Sequence, residues 1–218
     1  MAYARSITRA AVVAVSVWTA ACTADDTGVR PALTETAAAR PTMQQLVPAE
    51  GLGKPPSSRE LASSRAELHR RFRDPLSHTN TAAGARLAAE TLLTAAITEN
   101  DRSLKWLMLD EARRLGEASG QASLVSRAIT MAAAVYDFDA IEMELRCLKQ
   151  IPLRGLDAQR ASGLASAAEN IATRAEADQR LDKAVSATLL AYRAWQRAGN
   201  KEAAHQAATR HDTLVQGK

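Results

Sequence analysis

The sequence predicts an all-α fold, and three features support this prediction. Alanine, the residue with the highest helix propensity, occupies 47 of the 218 positions. Aromatic residues make up only 4% of the chain and glycine only ten residues, which argues against a β-sandwich, a barrel or a doubly wound sheet. Apolar residues instead recur at the i, i+3, i+4, i+7 spacing of amphipathic helices.

Residues 1–22 have the pattern of an export signal. A short basic segment with Arg5 and Arg9 precedes an apolar run from Ala10 to Ala21, which ends at Cys22. This run is about a dozen residues long, whereas a membrane-spanning helix needs about 20. The small residues before the cysteine resemble the lipobox of bacterial lipoproteins, which implies a diacylglycerol on Cys22. Cleavage by ordinary signal peptidase and an uncleaved anchor are the alternatives.

Residues 23–57 are predicted to form a disordered tether. Five of the seven prolines lie here among Thr, Ala, Gly and Gln, without apolar periodicity. Such a segment cannot bury enough surface to offset the entropy of ordering it. Thr23 follows Cys22, so the aspartate that retains many lipoproteins at the inner membrane is absent. The lipoprotein resemblance therefore implies the outer membrane, with the chain facing the periplasm or the exterior.

Eight helices are predicted in the remaining part, residues 58–216. The first carries Leu61, Leu68 and Phe72 on one face and stops at Asp74–Pro75, because proline breaks a helix interior. The next three are expected at about Ala82–Glu99, Asp101–Gly120 and Leu124–Tyr136, and the last four at Asp139 to Pro152, Ala161–Ala175, Asp178–Trp195 and Asn200–Val215.

An internal period of about 39 residues relates these helices, which is within the range of known helical repeats. Candidate N-caps at Asp101, Asp139 and Asp178 are almost equally spaced, and each opens a helix pair with a turn at Gly120, near Gly155, or at Gly199. The predicted repeats are 101–138, 139–177 and 178–216. When residues 111–128 are aligned with residues 190–207, four pairs are identical: Ala112 and Ala191, Arg114 and Arg193, Gly120 and Gly199, and Ala128 and Ala207. This pattern is typical of helical repeat arrays.

The segment AYRAWQRAGNKEAAHQAA (191–208) resembles the middle of a tetratricopeptide repeat (TPR), with a large residue on the first helix, glycine at the turn and small residues on the second. The resemblance covers residues 101–216. It implies an α-solenoid of about three helix hairpins, preceded by one or two extra helices, that binds proteins or peptides in a groove lined by the first helix of each pair. Arg113, Arg146 and Arg193 occupy polar positions on those helices and are the candidate partner contacts.

Charge and motifs argue against two other classes of protein. The formal charge of +4 falls to about +2 without the signal segment, and no basic stripe with interleaved aromatics is present, so nucleic-acid binding is not expected. His205 and His211 are six residues apart and do not share a helix face. No known catalytic, nucleotide-binding or metal-binding motif occurs, so neither catalytic residues, a cofactor nor a metal is predicted. Cys147 is expected to be a small buried apolar residue.

The sequence therefore predicts a non-enzymatic, exported protein-interaction module, a TPR-like scaffold or adaptor tethered to the bacterial cell envelope. Its expected partners are an unidentified protein or peptide and, through a lipid on Cys22, the membrane. One alternative is a structural envelope protein that self-associates through the exposed ends of the array. A second alternative is an enzyme with an unrecognised all-α site.

Overall fold

The computed structural model describes residues 52–217, and 79% of them are helical. Within this part of the chain there are nine helices and no strand, so the all-α prediction is confirmed. The predicted signal segment, Cys22 and residues 23–51 of the predicted tether lie outside the described residues. The helices are α1 (Ser58–Arg71), α2 (Arg73–Ser77), α3 (Ala82–Thr98), α4 (Arg102–Ser119), α5 (Ala122–Ala133), α6 (Ala140–Gln150), α7 (Ala158–Ala177), α8 (Leu181–Ala198) and α9 (Lys201–Gln216).

Short polar side chains fix several helix starts, as predicted. Asp101 accepts a hydrogen bond from the backbone N–H of Leu104 and caps α4, and Asp139 accepts one from Glu142 and caps α6. Such caps satisfy backbone donors that have no partner inside the helix. Ser57 forms a full capping box with Glu60 at the start of α1.

The predicted third cap, Asp178, is wrong. Helix α7 continues to Ala177, Asp178 is its C-cap, and Gln179 follows with φ 57°, a left-handed conformation that turns the chain. Helix α8 begins only at Leu181, and Arg180 at its N-cap makes no side-chain cap bond. Because α4 and α6 start directly after their aspartates and α8 does not, the period is less regular than the aspartates indicate.

The first predicted helix is divided in two. Helix α1 ends at Arg71, and the short α2 begins at Arg73, with Pro75 in its first turn. Proline is tolerated there because the first backbone N–H groups of a helix have no partner inside the helix. The prediction of a stop at Asp74–Pro75 missed this extra helical turn.

Helix α5 lies between two large apolar clusters. Leu124 and Ala128 of α5 join a cluster formed with α1, α3 and α4, whereas Val125 and Ile129 join a cluster formed with α6, α7 and α8. The helix can serve both because its apolar residues cover two adjoining faces. Its burial on both sides makes the described helices one continuous packed structure.

Helix packing follows chain order. Outside α1, which also packs on α4, extensive contacts join each helix to the next helix or to the next but one. The most extensive contact joins α7 and α8, whose inward positions are mainly alanines: Ala161, Ala165, Ala168, Ala172 and Ala175 on α7, and Ala184, Ala187, Ala191 and Ala194 on α8. Small side chains let two helix backbones approach closely.

The alignment of Ala112 with Ala191 also relates the helix boundaries. In this register α4 and α8 start and end at equivalent positions, α5 and α9 start at equivalent positions, and α3 and α7 end at equivalent positions. Residues 82–130 and 161–209 are identical at 12 of 49 positions. The block α3–α4–α5 is therefore repeated as α7–α8–α9, and α6 is the helix inserted between the two copies.

Alanines at the three-helix junction are shared by both copies. Ala168, Ala191 and Ala207, one from each of α7, α8 and α9, form a small buried cluster. Their counterparts in the first copy are Ala89, Ala112 and Ala128, which are also buried. Identity at these positions follows from packing, because a larger side chain would force the helices apart.

Residues before α1 pair with the loop between α5 and α6. The N–H of Gly53 donates to the carbonyl of Val135 (3.2 Å), and the N–H of Asp137 donates to the carbonyl of Gly53 (2.8 Å), forming a parallel β-bridge with Tyr136. The buried Tyr136 ring in turn contacts Trp106 edge-on, with centroids 4.9 Å apart. The bridge between Gly53 and Tyr136 therefore fixes where the chain enters the helical domain.

Candidate partner-binding groove

A concave surface lies between the C-terminal part of α6, the loop that follows it, and α8. We call it the α6–α8 groove. Its cavity volume is about 480 Å³, and its lining residues are Lys149, Ile151, Pro152, Leu153, Ser186, Leu189, Leu190 and Arg193. This volume lies within the range of ligand-binding clefts, about 300–1,000 Å³.

The loop wall of the groove is held in place by two contacts. Helix α6 ends at Gln150 because Pro152 cannot continue it. The chain then turns at Gly155, which has φ 97°. The Leu156 carbonyl accepts a hydrogen bond from Arg197 Nε of α8 (3.0 Å), and the Leu156 side chain is buried. The groove is therefore formed by anchored backbone.

The groove floor is apolar and its rim is cationic. Ile151 is buried, and Leu153, Leu189 and Leu190 are half-buried. Lys149 and Arg193 are exposed, and neither has an ion-pair partner among residues 52–217. Among the described residues, no carboxylate lines the groove.

Carboxylates on the neighbouring part of α6 are already engaged. Glu144, whose side chain is 3% exposed, accepts a hydrogen bond from Arg174 of α7. Glu142 contacts Lys183 of α8. Arg174 and Lys183 therefore offset the charges of these two carboxylates, which form no ion pair with the cations at the rim of the groove.

Arg146 and Arg193 lie at exposed positions on this side of α6 and α8. Arg146 is exposed and borders a second, smaller depression of about 260 Å³ between α4 and α6. That depression also includes Trp106, Phe138 and Met143, and the rings of Trp106 and Phe138 meet edge-to-face with centroids 5.7 Å apart. Its lining also contains the carboxylates of Asp139 and Glu142. The structure thus places two of the three candidate contact residues beside concavities that are partly apolar.

Arg113 has a different environment. Its side chain is 18% exposed and donates hydrogen bonds to Asp110 (2.7 Å) and Glu117 (2.5 Å). Its Nη1 also lies 3.4 Å from Cys147 Sγ. Burial acts to lower the pKa of Arg113, but Asp110, Cys147 and Glu117 together outweigh it and raise that pKa. Arg113 therefore ties α4 to α6, and its role in partner contact stays a prediction.

Sequence reasoning missed Lys149 and the loop residues Pro152 and Leu153. The available signal was the pair Leu189–Leu190, two adjacent leucines that are both half-buried on α8. The loop and Lys149 gave no periodic signal, because their position beside α8 depends on tertiary packing.

Cys147 is buried, as predicted, and is the free cysteine of residues 52–217. Burial raises the pKa of its thiol to about 11, the Glu117 carboxylate adds to this shift, and Arg113 opposes it. Among the described side chains, no group of three or more His, Cys, Asp or Glu residues is arranged to hold a metal ion.

In the described part of the chain, every helix is too short or too polar to cross a membrane. Comparison with protein-family models found no match to this chain. Comparisons with curated proteins and with solved structures likewise found no significant similarity.

Proposed function

We propose that this chain is a non-enzymatic protein-interaction module, exported and tethered to the bacterial cell envelope by a lipid on Cys22. The observation that carries the proposal is the α6–α8 groove. It combines a half-buried apolar floor with cations that lack ion-pair partners in the described residues. Such surfaces are typical of sites that bind another macromolecule.

A TPR-like solenoid is the architecture that best fits this role. Helix contacts follow chain order, as they do in arrays whose repeats touch only their neighbours. Helices α4, α6 and α8 are the first members of the three predicted pairs, and α6 packs on both of the others. In such an array these helices would line one face, where the candidate contact residues Arg146 and Arg193 lie.

Photo-crosslinking in cells tests the binding role. A crosslinking amino acid at Ser186 or Leu189 should capture one reproducible protein partner. The same amino acid at Thr130, an exposed position of α5, is the matched control. Equal capture from both sites, or none from the groove, would overturn the proposal.

The export and anchor are supported by the basic start, the apolar run and the small residues before Cys22. Two or more acyl chains hold a protein firmly to a membrane, because each buried methylene contributes about 0.8 kcal/mol. Metabolic labelling with a palmitate analogue should mark the wild type and not Cys22→Ser. Labelling of both to the same extent would exclude Cys22 as the attachment site.

Self-association is a second candidate function, favoured by one observation. The outer face of α3 exposes Leu87 (64% exposed) and Ile97 and bears few charges. Sedimentation of the full chain in detergent distinguishes the two roles. A dimer that Leu87→Lys dissociates would support self-association, whereas a monomer at all concentrations would exclude it.

A further inference from the structure

We infer that the α6–α8 groove selects an acidic segment of its protein partner, one that inserts an apolar side chain between Leu153 and Leu189. This inference rests on the proposed function and names the chemistry of the partner. It is carried by the charge and apolar surface of the groove itself.

The apolar floor of the groove would select the apolar side chain of the partner. Leu153 on the loop, and Leu189 and Leu190 on α8, keep part of their surface accessible inside the concavity. Covering it with a leucine or phenylalanine side chain removes apolar area from water, which favours binding in proportion to the area covered. The groove is large enough for an apolar anchor together with adjoining backbone.

The cationic side chains at the rim of the groove would select the acidic residues of the partner. Lys149 of α6 and Arg193 of α8 both line the groove, and Arg146 lies one helical turn before Lys149. No carboxylate from residues 52–217 lines the groove. Acidic residues of a partner would gain from these cations, whereas a basic segment would bring like charges together as water is excluded, which strongly disfavours binding.

A protein segment fits this site better than a membrane surface does. The leucines of the groove are half-buried, whereas the exposed large apolar residues of the described chain lie outside the groove lining: Leu52, Leu87, Ile97, Leu181 and Val215. Insertion into a bilayer requires apolar side chains that project from the surface. A chain with its own side chains can reach into the concavity.

Fluorescence anisotropy with designed peptides tests the inference on the full-length chain. Three labelled peptides of equal length, about a dozen residues, are compared. The acidic–apolar probe places Leu and Phe among Asp and Glu, and the basic–apolar probe places Leu and Phe among Lys. The acidic–polar probe has Ser in place of Leu and Phe among Asp and Glu. The acidic–apolar probe should bind at least about tenfold more tightly than the others. Raising the salt from about 50 to about 300 mM should weaken this binding several-fold.

Charge reversal in the groove provides the matched variants. Lys149→Glu/Arg193→Glu should weaken the acidic–apolar probe at least about tenfold. Arg59→Glu/Arg127→Glu makes the same charge change at two exposed positions outside the groove and should leave binding within about twofold. Leu189→Gln should weaken the probe without changing the circular dichroism spectrum.

The outcomes separate this inference from the proposed function. Equal binding of the acidic and basic probes, or no effect of the groove reversal, would overturn acidic selectivity even if groove crosslinking still captures a partner. Binding of the groove to anionic lipid vesicles, lost on the same reversal and without any peptide binding, would also overturn it. Absence of a crosslinked partner would count against the proposed function itself.

Discussion

Arg180 at the start of α8 donates two hydrogen bonds to Asp139, the residue that caps α6. Its Nη1 lies 2.7 Å from Oδ1 and its Nη2 lies 2.6 Å from Oδ2. These bonds lower the pKa of the Asp139 carboxyl. Because Oδ1 also accepts from the backbone N–H of Glu142 (2.9 Å), one carboxylate both starts a helix and joins it to the next helix but one.

Replacing Asp139 separates these two roles. Asp139→Ala should lower the free energy of unfolding by about 1–2 kcal/mol, mainly because it removes the cap. Asp139→Asn keeps a capping oxygen and should cost about half as much. Arg180→Ala leaves the cap intact and should cost less than Asp139→Ala, since an exposed ion pair contributes little. Urea denaturation measures all three. If Asp139→Asn lowered the free energy of unfolding as much as Asp139→Ala does, the capping hydrogen bond would contribute nothing to stability.

The three predicted caps, Asp101, Asp139 and Asp178, show where sequence reasoning succeeds and where it stops. The sequence predicts Asp101 and Asp139 as caps because a short acidic side chain before an apolar run satisfies local backbone donors. Asp178 has the same local signal, yet α7 runs past the predicted boundary and Gln179 makes the turn. The choice there depends on how α8 packs, which a local pattern does not contain.

The candidate groove was predictable only in part. Arg146 and Arg193 could be placed on exposed helix positions from periodicity alone. The apolar floor could not, because Leu153 and Leu189 are distant in sequence and meet only after the loop has been anchored through Leu156 and Arg197.

The two left-handed glycines that end α4 and α8 should respond differently to alanine. Gly120 has φ 69° and Gly199 has φ 78°, so alanine is strained at both positions, by about 1–2 kcal/mol. At Gly120 an added Cβ would also lie 2.6 Å from Leu156 Cδ2, whereas at Gly199 it would meet no atom of the described residues within 4 Å. Gly120→Ala should therefore lower the free energy of unfolding by about 1–3 kcal/mol more than Gly199→Ala.

A variant background tests the cause of that difference. In Leu156→Ala, the contact with an added Cβ at position 120 is removed. In this background, Gly120→Ala should lower the free energy of unfolding only as much as Gly199→Ala lowers it in the wild type. A cost that stays unchanged would show that Leu156 is not the reason. Thermal or urea unfolding of the four variants provides the measurement.

The alanines at the three-helix junctions should not tolerate enlargement. Ala112→Leu and Ala191→Leu occupy equivalent positions in the two copies, and both alanines are fully buried. Each should lower the free energy of unfolding by about 1–3 kcal/mol, or prevent folding, since added methylenes must displace packed helices. Ala66→Leu, on the exposed face of α1, is the control and should change it by at most about 0.5 kcal/mol. A similar effect at all three positions would contradict the packing argument.

The buried thiol of Cys147 should make the fold less stable at alkaline pH. Burial raises the pKa of this thiol from its ordinary value of 9.0 to about 11. Between these two pH values the unfolded chain loses the proton and the folded chain keeps it. Stability that is fully present below pH 9 should therefore be lost as the pH rises towards 11.

Comparison with Cys147→Ala isolates this effect from the titration of tyrosine and lysine. Between pH 8 and about 10.5, under reducing conditions, the wild type should lose about 2 kcal/mol more of its free energy of unfolding than the variant loses. Urea denaturation at several pH values measures the difference. Parallel curves for the two proteins would mean that the folded thiol ionises as readily as the unfolded one, and the neutral, buried state of Cys147 would then be wrong.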